Sequence, residues 1–134
     1  MTWPVHPESG EALRGRMVLV VEDEPIVALE LEAILADEGA TVVGPVNDLA
    51  EGLRLAEAAG ISAALLDVRL GRQTVAPLAR ALEMRGIPFI FYTGQGEADD
   101  VRREWPAALF IAKPAPARSL VAAVQALEPH LPQA

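Results

Sequence analysis

The sequence predicts an α/β protein, a doubly wound three-layer sandwich of five β–α units. Three observations carry that expectation. Short apolar, β-branched runs alternate five times with segments of helical period. The runs are apolar on both faces, as strands of a parallel sheet covered by helices must be. Acidic, hydroxyl and basic residues close four of these runs at their C-terminal ends, the edge at which open parallel sheets bind ligands. Right-handed crossovers then favour the flavodoxin-like strand order 2-1-3-4-5, in which the ends of the first and third strands flank the switch point.

The elements follow in order. MVLVVE (17–22) is a continuous apolar run ending in acids and reads as the first buried strand. Pro25 suits the first turn of a helix through IVALELEAILADEG, with Ile26, Leu29, Ala33 and Ile34 at helical spacing and Gly39 as its stop. ATVVGP (40–45) is the second strand. A helix over 48–60 follows, N-capped by Asp48 and stopped by Gly60. SAALLDV (62–68) is the third strand and RLGRQ (69–73) a loop. TVAPLARALEMRG (74–86) is the third helix, with Pro77 tolerated only near its start. IPFIFYTG (87–94) is the fourth strand, EADDVRREW (97–105) a short polar helix closed by Pro106, and ALFIA (108–112) the fifth strand. The last helix, over 117–131, is limited by Pro129. Residues 1–15 read as an N-terminal extension, a loose lead-in or short cap, and 16–134 as the domain itself.

Composition narrows the function. The chain has 134 residues, enough for one domain with a core. That core is aliphatic, because hydrophobic residues make up 51% and aromatic ones only 4%. A net charge of −8 without a basic stripe argues against nucleic-acid binding, which depends on neutralising phosphates. No apolar stretch reaches the length of a membrane span, and the N-terminus lacks the apolar core of a signal peptide. Without cysteine there is no disulfide or thiolate chemistry, and the cytoplasm is the expected compartment.

The strand ends carry the chemistry. Glu22 and Asp23 follow the first strand, Asp67 closes the third, Thr93 the fourth, and Lys113-Pro114 follows the fifth. Three carboxylates at one edge repel unless a cation sits among them, and oxygen ligands suit magnesium. Asp67, after the rigid Ala-Ala-Leu-Leu run, is the nucleophile expected to take a phosphoryl group as an acyl phosphate. Positioning and charge neutralisation would then do most of the catalysis. Thr93 offers a hydroxyl to a phosphoryl oxygen, and Lys113 a point charge to Asp67 and then to the phosphate. Pro114 suits a cis peptide in the loop. Each residue alone has a plainer reading: an acid as a helix cap, Thr93 as a β-branched strand end, Lys113 as a solvated charge. Phe110 reads from spacing as core, and Trp105 and Trp3 as packing residues or exposed apolar contacts.

This ordered set resembles the receiver domain of response regulators over roughly residues 16–130. The resemblance implies that Asp67 is phosphorylated by a sensor histidine kinase or a histidine phosphotransfer protein. It also implies that Glu22, Asp23, Asp67 and the Arg69 main-chain carbonyl organise Mg²⁺. Thr93 and Lys113 become the phosphate-sensing pair, and Phe110 falls at the switch-aromatic position. PFIFYTGQG is similar to the signature of the FAT GUY receivers, with Tyr92 in place of Ala and Gln95 two residues after Thr93. That group resembles the receiver part of alphaproteobacterial general stress-response regulators, is often single-domain, and works with kinases of the HWE or a related type. A monomer or a phosphorylation-dependent dimer is expected.

The chain departs from the family pattern in places. Glu22 stands where Asp is commoner, and the loop after Asp67 is short. Arg69 and Gln95 are placed to influence the water that hydrolyses the acyl phosphate. Other readings remain. A Mg²⁺-dependent phosphatase with an aspartyl nucleophile usually needs an acid two residues after that nucleophile, where Arg69 stands. A flavin or nucleotide module lacks its Gly-rich loop, since Glu22-Asp23-Glu24 follows the first strand. A phosphorylation-independent binding module has no need of five competent site positions.

Overall fold

The computed structural model describes residues 10–94 and 98–127. Strands β1 (Met17–Val21), β2 (Thr41–Val46), β3 (Ala63–Leu66), β6 (Phe89–Thr93) and β7 (Leu109–Ala112) form one parallel sheet in the order β2-β1-β3-β6-β7. Counting only these five, the order is 2-1-3-4-5, as expected. Helices α1 (Pro25–Asp37), α2 (Leu49–Leu55), α3 (Ala76–Met84), α4 (Asp99–Glu104) and α5 (Ala117–Ala126) alternate with them.

The two-residue period of the strands divides the core into two layers. Leu19, Val21, Ala64, Leu66 and Phe91 point to one side, where they meet Leu49 of α2, Leu78 and Leu82 of α3, and Val101 of α4. Val18, Val20, Ala63, Leu65, Ile90 and Tyr92 point to the other, against Leu31 and Leu35 of α1 and Leu120, Val121 and Val124 of α5. The central strands β1 and β3 are therefore apolar throughout and β6 up to its terminal Tyr92 and Thr93, whereas the edge strands β2 and β7 stay partly exposed.

Several expectations are adjusted. The loop foreseen at 69–73 is a small antiparallel hairpin, β4 (Arg69–Leu70) with β5 (Gln73–Thr74), too short for its period to register in the sequence. Helix α2 ends at Leu55, ahead of Gly60. Helix α5 ends at Ala126, where Leu127 turns extended. Asp48 does cap α2, accepting from the Glu51 N–H at 2.8 Å. Trp105 is buried against Phe89 and Phe91. Gln95 and Trp3 lie outside the described residues.

Residues ahead of β1 are part of the packing. Leu13 is fully buried beside α1 and α5, and its N–H donates to the Glu38 carbonyl at 2.8 Å. The Arg16 guanidinium donates to the carbonyls of Val124, Gln125 and Leu127 at 2.9, 2.9 and 2.7 Å, satisfying the C-terminal end of α5. Gly44 sits in β2 at φ +96, where an added Cβ would lie 2.9 Å from both the Val20 oxygen and the Val46 nitrogen.

Candidate functional site

Backbone pairing runs one residue past each strand and fixes the site. The Glu22 N–H donates to the Val46 carbonyl at 2.9 Å, the Asp67 N–H to Val21 at 2.8 Å, and the Lys113 N–H to Thr93 at 2.9 Å. Three side chains are thus delivered to one edge of the sheet by the hydrogen bonding that builds it. The Lys113–Pro114 peptide is cis, and the Ala115 N–H beyond it donates to the Tyr92 hydroxyl at 3.2 Å.

The Lys113 ammonium is the centre of the cluster. Nζ lies 2.9 Å from Glu22 Oε2, 3.2 Å from Asp67 Oδ2 and 3.2 Å from Glu24 Oε2. Glu22 and Asp67 are buried, while Glu24 is exposed. Two main-chain donors add to them: Asp23 N–H to Asp67 Oδ2 at 3.3 Å, and Glu24 N–H to Glu22 Oε2 at 3.0 Å. Asp23 projects its exposed side chain at the rim. The cluster opens into a cleft of about 570 Å³ lined by Asp23, Glu24, Asp67, Arg69, Gly71, Gly94 and Lys113. A larger groove of about 940 Å³ lies between α1 and α5, away from these acids.

Burial pushes the Glu22 carboxyl up to about 7, and the neighbouring Asp67 carboxylate adds to the effect. The Glu24 N–H and the Lys113 ammonium pull it down without cancelling the rise. Burial acts on Lys113 in the opposite sense, lowering its proton affinity, but Glu22 and Asp67 outweigh this and hold the ammonium above its ordinary value. Lys113 is therefore a fixed positive charge among more acids than it can neutralise.

Thr93 is buried at the end of β6, and its hydroxyl donates to the Gly94 carbonyl at 3.2 Å. Arg69 is exposed on the hairpin at the cleft rim. The Val75 N–H donates to the Val68 carbonyl, so by antiparallel alternation Arg69 and Thr74 form a non-hydrogen-bonded pair. The hairpin thus does not consume the Arg69 carbonyl. Phe110 is half-buried, its ring stacked on Phe91 at 4.8 Å with the Arg102 guanidinium 4.2 Å over it.

The donor set suits a divalent cation. Among the described residues, Glu22 Oε1 is a buried acceptor without a hydrogen-bond partner. With Asp67, Asp23 and the Arg69 carbonyl, which the hairpin does not use, it would supply hard oxygen ligands of the kind magnesium takes alongside retained waters. Among the described residues no three acidic or histidine side chains already converge on one point. The residues fit a partly hydrated ion and not a closed protein cage.

Sequence reasoning missed two contributors. Glu24 reaches Lys113 although its position marks it as a helix cap, and the Tyr92 hydroxyl holds the loop after Pro114. The run of three acids after β1 was the available signal for the first. Nothing local marked the second.

Comparison with known proteins agrees with this architecture. A family model described as the response regulator receiver domain matches residues 18–125. The transcriptional regulatory protein PdtaR of Mycobacterium tuberculosis is 28% identical over 128 residues, covering 93% of this chain and 62% of that protein. The phyllosphere-induced regulator PhyR of Methylorubrum extorquens is 32% identical over 116 residues, covering 80% of this chain and 42% of that one. The chain therefore spans less than two thirds of either curated relative. The solution structure of SdrG from Sphingomonas melonis superposes with a TM-score of 0.73 at 38% identity, covering 85% of this chain and 95% of SdrG. Its BeF3-activated conformation superposes with a TM-score of 0.68 at 37% identity, covering 83% and 94%. Among the described residues no helix is long and apolar enough to cross a membrane. With its acid cluster, its lysine and a family match over most of its length, the chain belongs to the response regulator receiver domains.

Proposed function

We propose that this receiver accepts a phosphoryl group on Asp67 from a sensor histidine kinase or a histidine phosphotransfer protein, and signals through protein contacts or a relay. The observation that carries this reading is the Lys113 ammonium 3.2 Å from Asp67 Oδ2, at the head of a cleft open to a donor. In the transfer, an Asp67 carboxylate oxygen attacks phosphorus, the phosphorus–nitrogen bond to the donor histidine breaks, and the imidazole keeps the electron pair. Lys113 balances the charge that arrives, and the Thr93 hydroxyl turns from the Gly94 carbonyl to a phosphoryl oxygen. Phe110 responds to that movement.

Glu22, Asp23, Asp67 and the Arg69 main-chain carbonyl would hold Mg²⁺, which supplies charge neutralisation between the acids and the phosphate. The chain's own catalysis of acquiring and losing the phosphoryl group is part of the proposal. A phosphatase reading is less favoured, because Arg69 stands where a leaving-group acid is needed. The Phe91-Tyr92-Thr93-Gly94 stretch supports assignment to the FAT GUY group. With that assignment go a kinase of the HWE type, a role in the general stress response, a cytoplasmic site of action, and a monomer or phosphorylation-dependent dimer. The existence of a BeF3-activated form of SdrG suggests the test. Beryllofluoride with Mg²⁺ is expected to shift amide resonances around Asp67, Thr93, Lys113 and Phe110 in the wild type and to leave Asp67→Ala unchanged. A silent wild type, or an equal response in the variant, would remove the proposal.

A further inference from the structure

Glu24 occupies the N-cap of α1, where a side chain ordinarily closes the first helical turn, yet it makes no such cap. Its carboxylate reaches across to Lys113 Nζ at 3.2 Å. An ammonium has three protons, and the three carboxylates around Lys113 can take one each. Those carboxylates are unequal. The side chains of Glu22 and Asp67 are 0% and 5% exposed, whereas that of Glu24 is 64% exposed at the cleft wall.

A phosphoryl group on Asp67 adds acceptor oxygens and negative charge, so Lys113 must give up one partner to meet it. Releasing Glu22 or Asp67 would strand a buried carboxylate, which is costly. Releasing Glu24 returns an exposed carboxylate to water at little cost. Until that happens, Glu24 keeps a negative charge at the mouth through which an anionic donor enters.

We propose that Glu24 is a positioning residue: it tethers Lys113 in the unphosphorylated site, restrains phosphoryl entry by its charge, and is the arm released when phosphate arrives. The entry role rests on the reading of Asp67 as acceptor; the tether does not.

The test compares wild type, Glu24→Gln and Glu24→Asp with acetyl phosphate and Mg²⁺, reading the initial rate of phosphorylation by intact mass at several ionic strengths. Glu24→Gln should raise the rate at low salt by roughly three- to tenfold, since like charge in a cleft depresses association. The gain should fade toward about 0.5 M salt, where screening is strong. Glu24→Asp keeps the charge and should retain the wild-type rate and salt dependence. An unchanged rate in Glu24→Gln, or a gain indifferent to salt, overturns the entry role. Separately, nitrogen-15 spectra of the Lys113 ammonium should show faster proton exchange in both variants, because neither holds it as Glu24 does. Unchanged exchange overturns the tether. If the wild type takes no phosphoryl group, the acceptor reading and the entry role fall together, and the ammonium measurement still decides the tether.

Discussion

Glu22→Gln should stabilise this protein, and by an amount that depends on pH. Glu22 is 1% exposed, one of its oxygens has no partner among the described residues, and burial beside Asp67 lifts its carboxyl from the ordinary 4.5 to about 7. Between those values the folded chain keeps a proton that the unfolded chain has released. Stability therefore falls as pH rises through that window. Each tenfold change in proton affinity is worth roughly 1.4 kcal/mol, so the ionised group costs on the order of 3–4 kcal/mol above pH 7. Glutamine keeps a carbonyl acceptor for Lys113 and does not titrate. The variant should match the wild type near pH 4.5 and exceed it by about 1–3 kcal/mol at pH 8, the lower bound allowing for a weaker bond to the ammonium. Urea unfolding in EDTA at intervals from pH 4.5 to 8 measures both. Millimolar Mg²⁺ should narrow the difference, because a cation favours the ionised carboxylate. A wild-type stability that is flat or rising from pH 5 to 7, or a variant less stable at pH 8, would mean that Glu22 carries no such raised proton affinity.

Other perturbations test the frame. Leu13→Ala should cost about 2–4 kcal/mol in urea unfolding, because a fully buried leucine leaves a cavity; a loss below about 0.5 kcal/mol would mean that residues ahead of β1 are not part of the domain. Gly44→Ala should cost at least about 1 kcal/mol, since alanine resists φ +96 and its Cβ would meet two backbone atoms at 2.9 Å. A thermal midpoint equal to wild type would contradict that geometry. Arg16→Met should fray the end of α5, which amide hydrogen exchange at Val124 to Leu127 would register as lost protection.

The sheet was legible because its physics is local. Strands buried on both faces must be continuous apolar runs, so Met17–Val21 and Ala63–Leu66 declare themselves, and crossover handedness supplies the order. The site residues could be named because each follows one of those runs. What escaped was either too short to show a period or dependent on partners distant in sequence. The hairpin at Arg69–Thr74 has strands of two residues, too short for any period. Leu13 is one apolar residue in a polar stretch, and only the α1–α5 seam explains its burial. Glu24 is one more acid after the first strand until Lys113, 89 residues away, draws its carboxylate across the cleft. Helix ends moved as well: Leu127 leaves α5 earlier than Pro129 requires.

The central claim is that Asp67 takes a phosphoryl group, and intact-mass analysis tests it most directly. Wild type and Asp67→Asn are incubated with Mg²⁺ and acetyl phosphate. The wild type should gain the mass of one phosphoryl group, lost on chelating Mg²⁺ before donor is added, and Asp67→Asn should gain none. A wild type that gains nothing, or a variant that gains as much, would contradict it.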